Sequence, residues 1–99
     1  MEIIYKGTLY AVPVVSPTAI SGARLYNLAT QTYIVAELTG GEDGAGGSYG
    51  YEMKLTPNVT ASIPQGIYNL ELFSIDEDGN TIIQAYRENY AKVKETSFR

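Results

Sequence analysis

The side chains able to do chemistry in this chain are carboxylates and tyrosines, because it holds no histidine and no cysteine. That inventory removes the commonest general base, the commonest thiol nucleophile and the usual zinc ligands. Two carboxyls could in principle share acid and base roles at a glycosidic bond. That chemistry needs a cleft between them, which a chain of 99 residues has little room to build. Asp76, Asp78 and Asn80 alternate as calcium ligands do. They lack the glycine at the sixth loop position and the distant bidentate glutamate that complete an EF-hand, so a plain hairpin turn explains them. The run Gly40-Gly41-Glu42-Asp43-Gly44-Ala45-Gly46-Gly47 has no Gly-Lys-Ser/Thr ending, and its two acids would repel phosphate. It reads as a flexible, acidic loop over residues 40–47. The chain is therefore expected to be no enzyme and to carry no cofactor or metal.

What remains is chemistry of contact. Nine tyrosines stand against two phenylalanines and no tryptophan, a balance that suits half-buried rings with their hydroxyls in water or at an interface. The formal charge of −4 argues against binding nucleic acid through phosphates. The charge is also uneven: residues 1–80 carry three basic and nine acidic groups, whereas residues 81–99 carry four basic and two acidic ones. Arg87, Lys92, Lys94, Phe98 and Arg99 are thus the candidate docking residues, a basic stretch ending in an aromatic that could steer or orient a partner. A solvated strand face is the plainer account of the same residues.

These residues must be positioned by strands, since periodicity of two runs through the sequence. Tyr49, Tyr51, Met53 and Leu55 alternate with Gly50, Glu52 and Lys54, the pattern of a strand with one wet face. Val59, Ala61 and Ile63 repeat the alternation after a turn at Thr56-Pro57-Asn58. Ile67 to Ile75 is the most strand-like run: Tyr68, Leu70 and Leu72 share one face, and Phe73 and Ile75 make the other apolar near its end. Such a strand is expected to be central and covered on both sides. Asp76 to Asn80 closes a hairpin with Thr81 to Arg87, and Tyr90 to Lys94 reads as a separate last strand. In the first half, Ile3 to Tyr5 and Leu9 to Val15 read as strands, with Pro13 and Pro17 placing the second at an edge or a switch between sheets. Leu25 to Leu28 and Tyr33 to Leu38 form a hairpin. No stretch carries a helical stripe longer than one turn.

The sum is one domain over residues 1–99, all-β, with seven to eight short strands. With no cysteine there is no disulfide framework. The first residues lack a basic segment followed by an apolar one, so no secretory leader is expected. No apolar run approaches the roughly 20 residues that span a bilayer, so no membrane partner is expected.

The stretch Ile63-Pro64-Gln65-Gly66-Ile67-Tyr68-Asn69-Leu70 narrows the fold. A turn with Gly66, then Tyr68, then Leu70 two positions on, is how many immunoglobulin-like domains enter strand F, with the tyrosine hydroxyl bonded back to the corner. Gly66, Tyr68 and Leu70 are therefore read as a structural corner in an immunoglobulin-like antiparallel β-sandwich. The cysteine pair and strand C tryptophan of antibody domains are absent. From that corner through Ile82-Ile83 to Ala85-Tyr86-Arg87-Glu88-Asn89-Tyr90-Ala91-Lys92-Val93, the chain resembles small immunoglobulin-like virion proteins of tailed, crAss-like bacteriophages. The similarity covers about residues 59–95. It implies a capsid auxiliary (decoration) subunit docked on the major capsid protein or another virion protein, assembled in the host cytoplasm and forming a homo-oligomer within the particle. The alternative is a tail, fibre or cell-surface binding module recognising carbohydrate or a host surface.

Overall fold

In the computed structural model, residues 1–43 and 48–96 are described. Residues 44–47 lie outside them, as do Ser97, Phe98 and Arg99. Seven strands and one short helix follow in the order β1 (Glu2–Tyr5), β2 (Tyr10–Ser16), β3 (Gly22–Asn27), β4 (Thr32–Asp43), β5 (Tyr49–Leu55), α1 (Pro57–Ser62), β6 (Gly66–Ile75) and β7 (Thr81–Lys94). The strands neighbour one another in the order β1-β7-β6-β3-β4-β5-β2. β4 is the shared element. Its first half pairs with β3, and from Glu37 onward it pairs with β5. One five-stranded face (β1, β7, β6, β3 and the start of β4) thus folds over a three-stranded one (the end of β4, β5 and β2). The result is an all-β, immunoglobulin-like, nearly closed sandwich.

The inner face follows the alternation in the sequence. Leu25, Met53, Leu55, Tyr68, Leu70, Leu72, Ala91 and Val93 point into the core and are buried. Each large aliphatic side chain removed from water there contributes roughly 1.5–3 kcal/mol. Tyr68 is fully buried, and its hydroxyl donates to the Pro64 carbonyl at 2.7 Å. That bond ties the start of β6 to the corner it leaves, as the spacing of Gly66, Tyr68 and Leu70 predicts. Gly66 itself has φ of 138°, a conformation that side chains resist.

Four expectations need correction. The sandwich is not wholly antiparallel, because β1 runs parallel to β7, with Glu2 beside Ala91 and Tyr5 beside Lys94. Val59 to Ile63 is not a strand: Pro57–Ser62 is helical. Pro57 sits at the helix start, where its fixed φ and missing N–H are tolerated. Val59 and Ile63 lie four residues apart, a spacing that serves a helix as well as a strand, and here they close the bottom of the core. The buried Thr60 hydroxyl fastens the turn by donating to the Thr8 carbonyl at 2.7 Å. Residues 81–94 form one continuous strand instead of two. Between the Leu70–Arg87 and Tyr68–Ala91 pairs the β7 side is two residues longer, a bulge made possible by Asn89 at φ 52°. The Asn89 amide donates to the Asn69 side-chain oxygen at 2.9 Å, so the bulge keeps its hydrogen bond. Gly40 to Asp43 belongs to β4 rather than to a loop. The register shift there falls between Gly40 and Glu42, and Gly40 and Gly41 adopt φ of 98° and 102°. A side chain on Gly41 would stand 2.8 Å from the Tyr51 ring. The rest of the expected loop, residues 44–47, lies outside the described residues.

Candidate interaction face

The outer side of the five-stranded face is where polar and aromatic side chains gather. In β3 the residues alternate with the buried Ala23, Leu25 and Asn27, so Gly22, Arg24 and Tyr26 look outward. Register then sets their neighbours: Val35 beside Arg24 and Tyr33 beside Tyr26 on β4, Glu71 beside Arg24 and Phe73 beside Gly22 on β6, and Tyr86 beside Glu71 on β7.

Arg24 organises this surface. Its Nε donates to Glu71 Oε1 at 2.7 Å, an ion pair with both side chains partly shielded. The guanidinium carbon lies 4.0 Å from the centre of the Tyr33 ring and 5.2 Å from that of Phe73. A cation over aromatic rings gains from their electron-rich faces. Tyr26 and Tyr33 pack with centroids 4.6 Å apart, tilted by 36°. Phe73 can lie flat only because Gly22 has no side chain: a Cβ there would come within 2.5 Å of the ring. On the far side the Asn69 amide donates to the Tyr86 hydroxyl at 2.8 Å, and Asn69 is itself buried. Desolvation, with the nearby Glu88 and Glu71 charges adding to it, holds the Tyr86 phenol above its ordinary value.

The rings are thus fixed in place while much of their surface stays in water. Tyr33 is 49% exposed, Tyr86 51% and Val35 66%, and Ile75 and Ile83 continue the patch along β6 and β7. An apolar surface of this kind, rimmed by charge and anchored by tyrosine and arginine, has the composition of protein interface cores. Phe73 and Ile75 were expected to be covered, since both faces of β6 are apolar near its end. β6 is indeed central, between β3 and β7, yet among the described residues no element of the chain lies over its outer side. The expected central position holds, whereas the expected cover over the outer side is not supplied by any described residue.

The docking residues expected from charge fall in two places. Lys92 and Lys94 project from the same outer side, since their β7 neighbours Ala91 and Val93 are buried; Ile3, Tyr5 and Ile67 are beside them in register and also exposed. They form a basic, apolar lower end to the aromatic face. Arg87 pairs in register with the inward Leu70, so it sits on the opposite side of the strand, at the rim of a cleft. Phe98 and Arg99 lie outside the described residues. Charge bias along the sequence grouped these residues but could not tell one strand face from the other. Arg24, Tyr26, Tyr33, Val35 and Tyr86 were missed, although the second phase of β3 and β4 carries that signal once their pairing is known.

Comparison with known proteins finds no matching family model, no matching curated protein and no matching solved structure.

The carboxylates do other work. Asp76 accepts from the Asp78 and Asn80 amides at 2.9 and 2.8 Å and from the Asn80 side chain at 3.2 Å. Those bonds, chiefly the backbone one from Asn80, hold its carboxyl below the usual carboxylate range. The alternation that resembled a calcium loop is a self-capped hairpin turn. Glu2 accepts the Tyr10 hydroxyl at 3.0 Å, and Tyr10 lies 2.6 Å from the Tyr90 hydroxyl. With its single proton on Glu2, Tyr10 accepts the proton of Tyr90. This chain clasps β1, β2 and β7 together at one end of the sandwich, and burial raises both phenols above their ordinary value. Among the described residues, no cluster of three or more His, Cys, Asp or Glu is placed to hold a metal ion.

Proposed function

We propose that this domain is a non-catalytic docking module, a virion structural protein of the capsid auxiliary type that sits on the major capsid protein or another virion protein. The observation that carries the docking part is the outer face of the five-stranded sheet, where aromatic rings are pinned by Arg24, Asn69 and Gly22 yet left uncovered. Rings already held in one conformation lose little entropy when a partner covers them, which favours binding. Lys92 and Lys94 at the lower end add a basic rim to an otherwise acidic body, setting the orientation in which an acidic partner surface approaches. The virion assignment rests on the resemblance of residues 59–95 to crAss-like phage proteins, and it suits a rigid body whose main feature is one contact surface. Many copies would then occupy a lattice in the virion after assembly in the host cytoplasm.

The experiment is to purify particles by density and count copies of this chain per major capsid protein by quantitative mass spectrometry. A fixed ratio to the capsid lattice is expected. Absence from the particles would refute the virion reading. A second reading, a tail or cell-surface module binding carbohydrate, is favoured by one observation: Tyr33 and Tyr86 present open rings on a flat sheet, and sugars stack on such rings. A glycan array separates the two, staying dark for an auxiliary subunit and showing defined ligands for a lectin-like module.

A further inference from the structure

The sandwich is open along one side. Among the described residues, β2 pairs only with β5, and β1 covers only Ala91 to Lys94 of β7. The half of β7 from Thr81 to Tyr90 therefore has an unpaired edge, facing the unpaired edge of β2. Between them runs a cleft of about 740 Å³. Val12 and Val14 from β2, Leu70 and Leu72 from β6, and Ala85 from β7 make an apolar floor between polar walls. Two bonds bridge its ends, Tyr10 to Tyr90 at 2.6 Å and the surface pair Thr18 to Gln84 at 3.2 Å. Because of the bulge, β7 from Ala85 to Ala91 runs beside only Leu72 to Tyr68, so the slot is roughly 13 Å long at about 3.3 Å per strand residue.

A slot of that form selects its occupant. An apolar trough would suit many molecules, but backbone N–H and C=O groups along an open strand edge are satisfied best by another extended backbone. The two edges also differ. In β2, Pro13 has no N–H, so it removes a donor from the free side if the ladder to β5 is kept. β7 from Thr81 to Tyr90 has no proline, and Ile82, Ile83 and Tyr86 along it are exposed, which is the edge type that recruits another strand. Charge specifies one position. Arg87 borders the slot on the Leu70 side and has no ion pair among the described residues. Of the acids nearby, Glu2 is taken by Tyr10, and Glu88 bears on Tyr86.

We propose that this cleft accepts an extended segment of a partner protein, which adds as a strand along the free half of β7. Its apolar side chains enter the trough at alternate positions, and an acidic residue faces Arg87. The added strand would lie in line with β1 and close the sandwich. The slot borders the outer face at Ile83 and Tyr86 but uses none of Arg24, Tyr33 or Val35, so a Val35→Ser chain separates the two.

The test adds a synthetic peptide of alternating Val and Thr with one central Asp to the full chain, and follows amide hydrogen exchange by NMR. At about ten times its Kd, exchange at the edge-facing amides between Ile82 and Glu88 should slow about tenfold. The outer-face variant Val35→Ser should respond equally. Arg87→Glu, a change at an exposed side chain, should abolish the effect, and a peptide with Lys in place of Asp should restore it. Protection confined to β2 or to the outer face would overturn the proposal. So would equal protection by a peptide of the same composition with the alternation scrambled, or an Arg87→Glu chain that still prefers the Asp peptide.

Discussion

The two faces of β6 share one backbone and one set of neighbouring strands, and they spend their side chains differently. Inward, Tyr68, Leu70 and Leu72 are all buried and supply the middle of the core. Outward, Asn69, Glu71, Phe73 and Ile75 are each engaged or exposed without a layer above them: Asn69 holds Tyr86, Glu71 holds Arg24, Phe73 rests on Gly22, and Ile75 is open to water. The inner face stabilises by removing apolar area from water. The outer face is ordered by directed contacts and leaves its apolar area unburied. A protein that only needed to fold would gain from polar residues at Val35, Ile75 and Ile83, and the proposed docking role accounts for their presence.

That contrast can be broken most forcefully from inside. Leu72→Ala should cost about 2–5 kcal/mol, read as a lower urea midpoint with unchanged m-value. A loss below ~1 kcal/mol would mean that the inner face is not the stabilising one. Tyr68→Phe removes only the hydroxyl that reaches Pro64, and should cost about 0.5–1.5 kcal/mol.

The alkaline limb sharpens the same point. Burial raises the Tyr10, Tyr68 and Tyr90 phenols above the ordinary value of 10.0, so the folded chain keeps protons that the unfolded chain releases. Stability from these three is therefore full below about pH 10 and falls as pH rises past it. Phenolate absorbance should show these three tyrosines ionising only as the chain unfolds. Ionisation of Tyr10, Tyr68 and Tyr90 near pH 10 with the fold intact would contradict the buried clasp.

The smallest stability effect belongs outside. Val35→Ser and Ile83→Ser should each change stability by no more than about 0.5 kcal/mol. The same changes should weaken partner docking about tenfold or more, the size expected for anchors at an interface centre. Replacing Lys92 and Lys94 with Ser should slow association and flatten its salt dependence, leaving the fold intact.

How far these features could be read from the residues depends on which are local. Alternation at Tyr49 to Leu55 and at Tyr68 to Leu72 is a property of neighbours along the chain, so those strands and their inward sides were legible. The Tyr68 corner was too, because glycine, tyrosine and leucine act within a few residues of one another. Val59 and Ile63 were misread because four-residue spacing satisfies both periods, and only the need to cross between sheets selects the helix. The break expected at Glu88-Asn89 became a bulge because Asn69, twenty residues away, receives the Asn89 amide. The outer face was illegible for a related reason. Arg24, Tyr33 and Phe73 come from three strands, and nothing local announces that register will stack them. Charge bias grouped Arg87 with Lys92 and Lys94, although the strand points it the other way.

The central claim is tested most directly by particle occupancy of a folded outer-face variant. Virions assembled with Tyr33→Ala, Val35→Ser chains would be purified beside the unaltered ones and the chain counted per major capsid protein, with the thermal midpoint of each free chain measured in parallel. The account predicts a fixed copy number for the unaltered chain and near-complete loss for the variant at nearly unchanged stability. Full retention of the folded variant on the particles would contradict it.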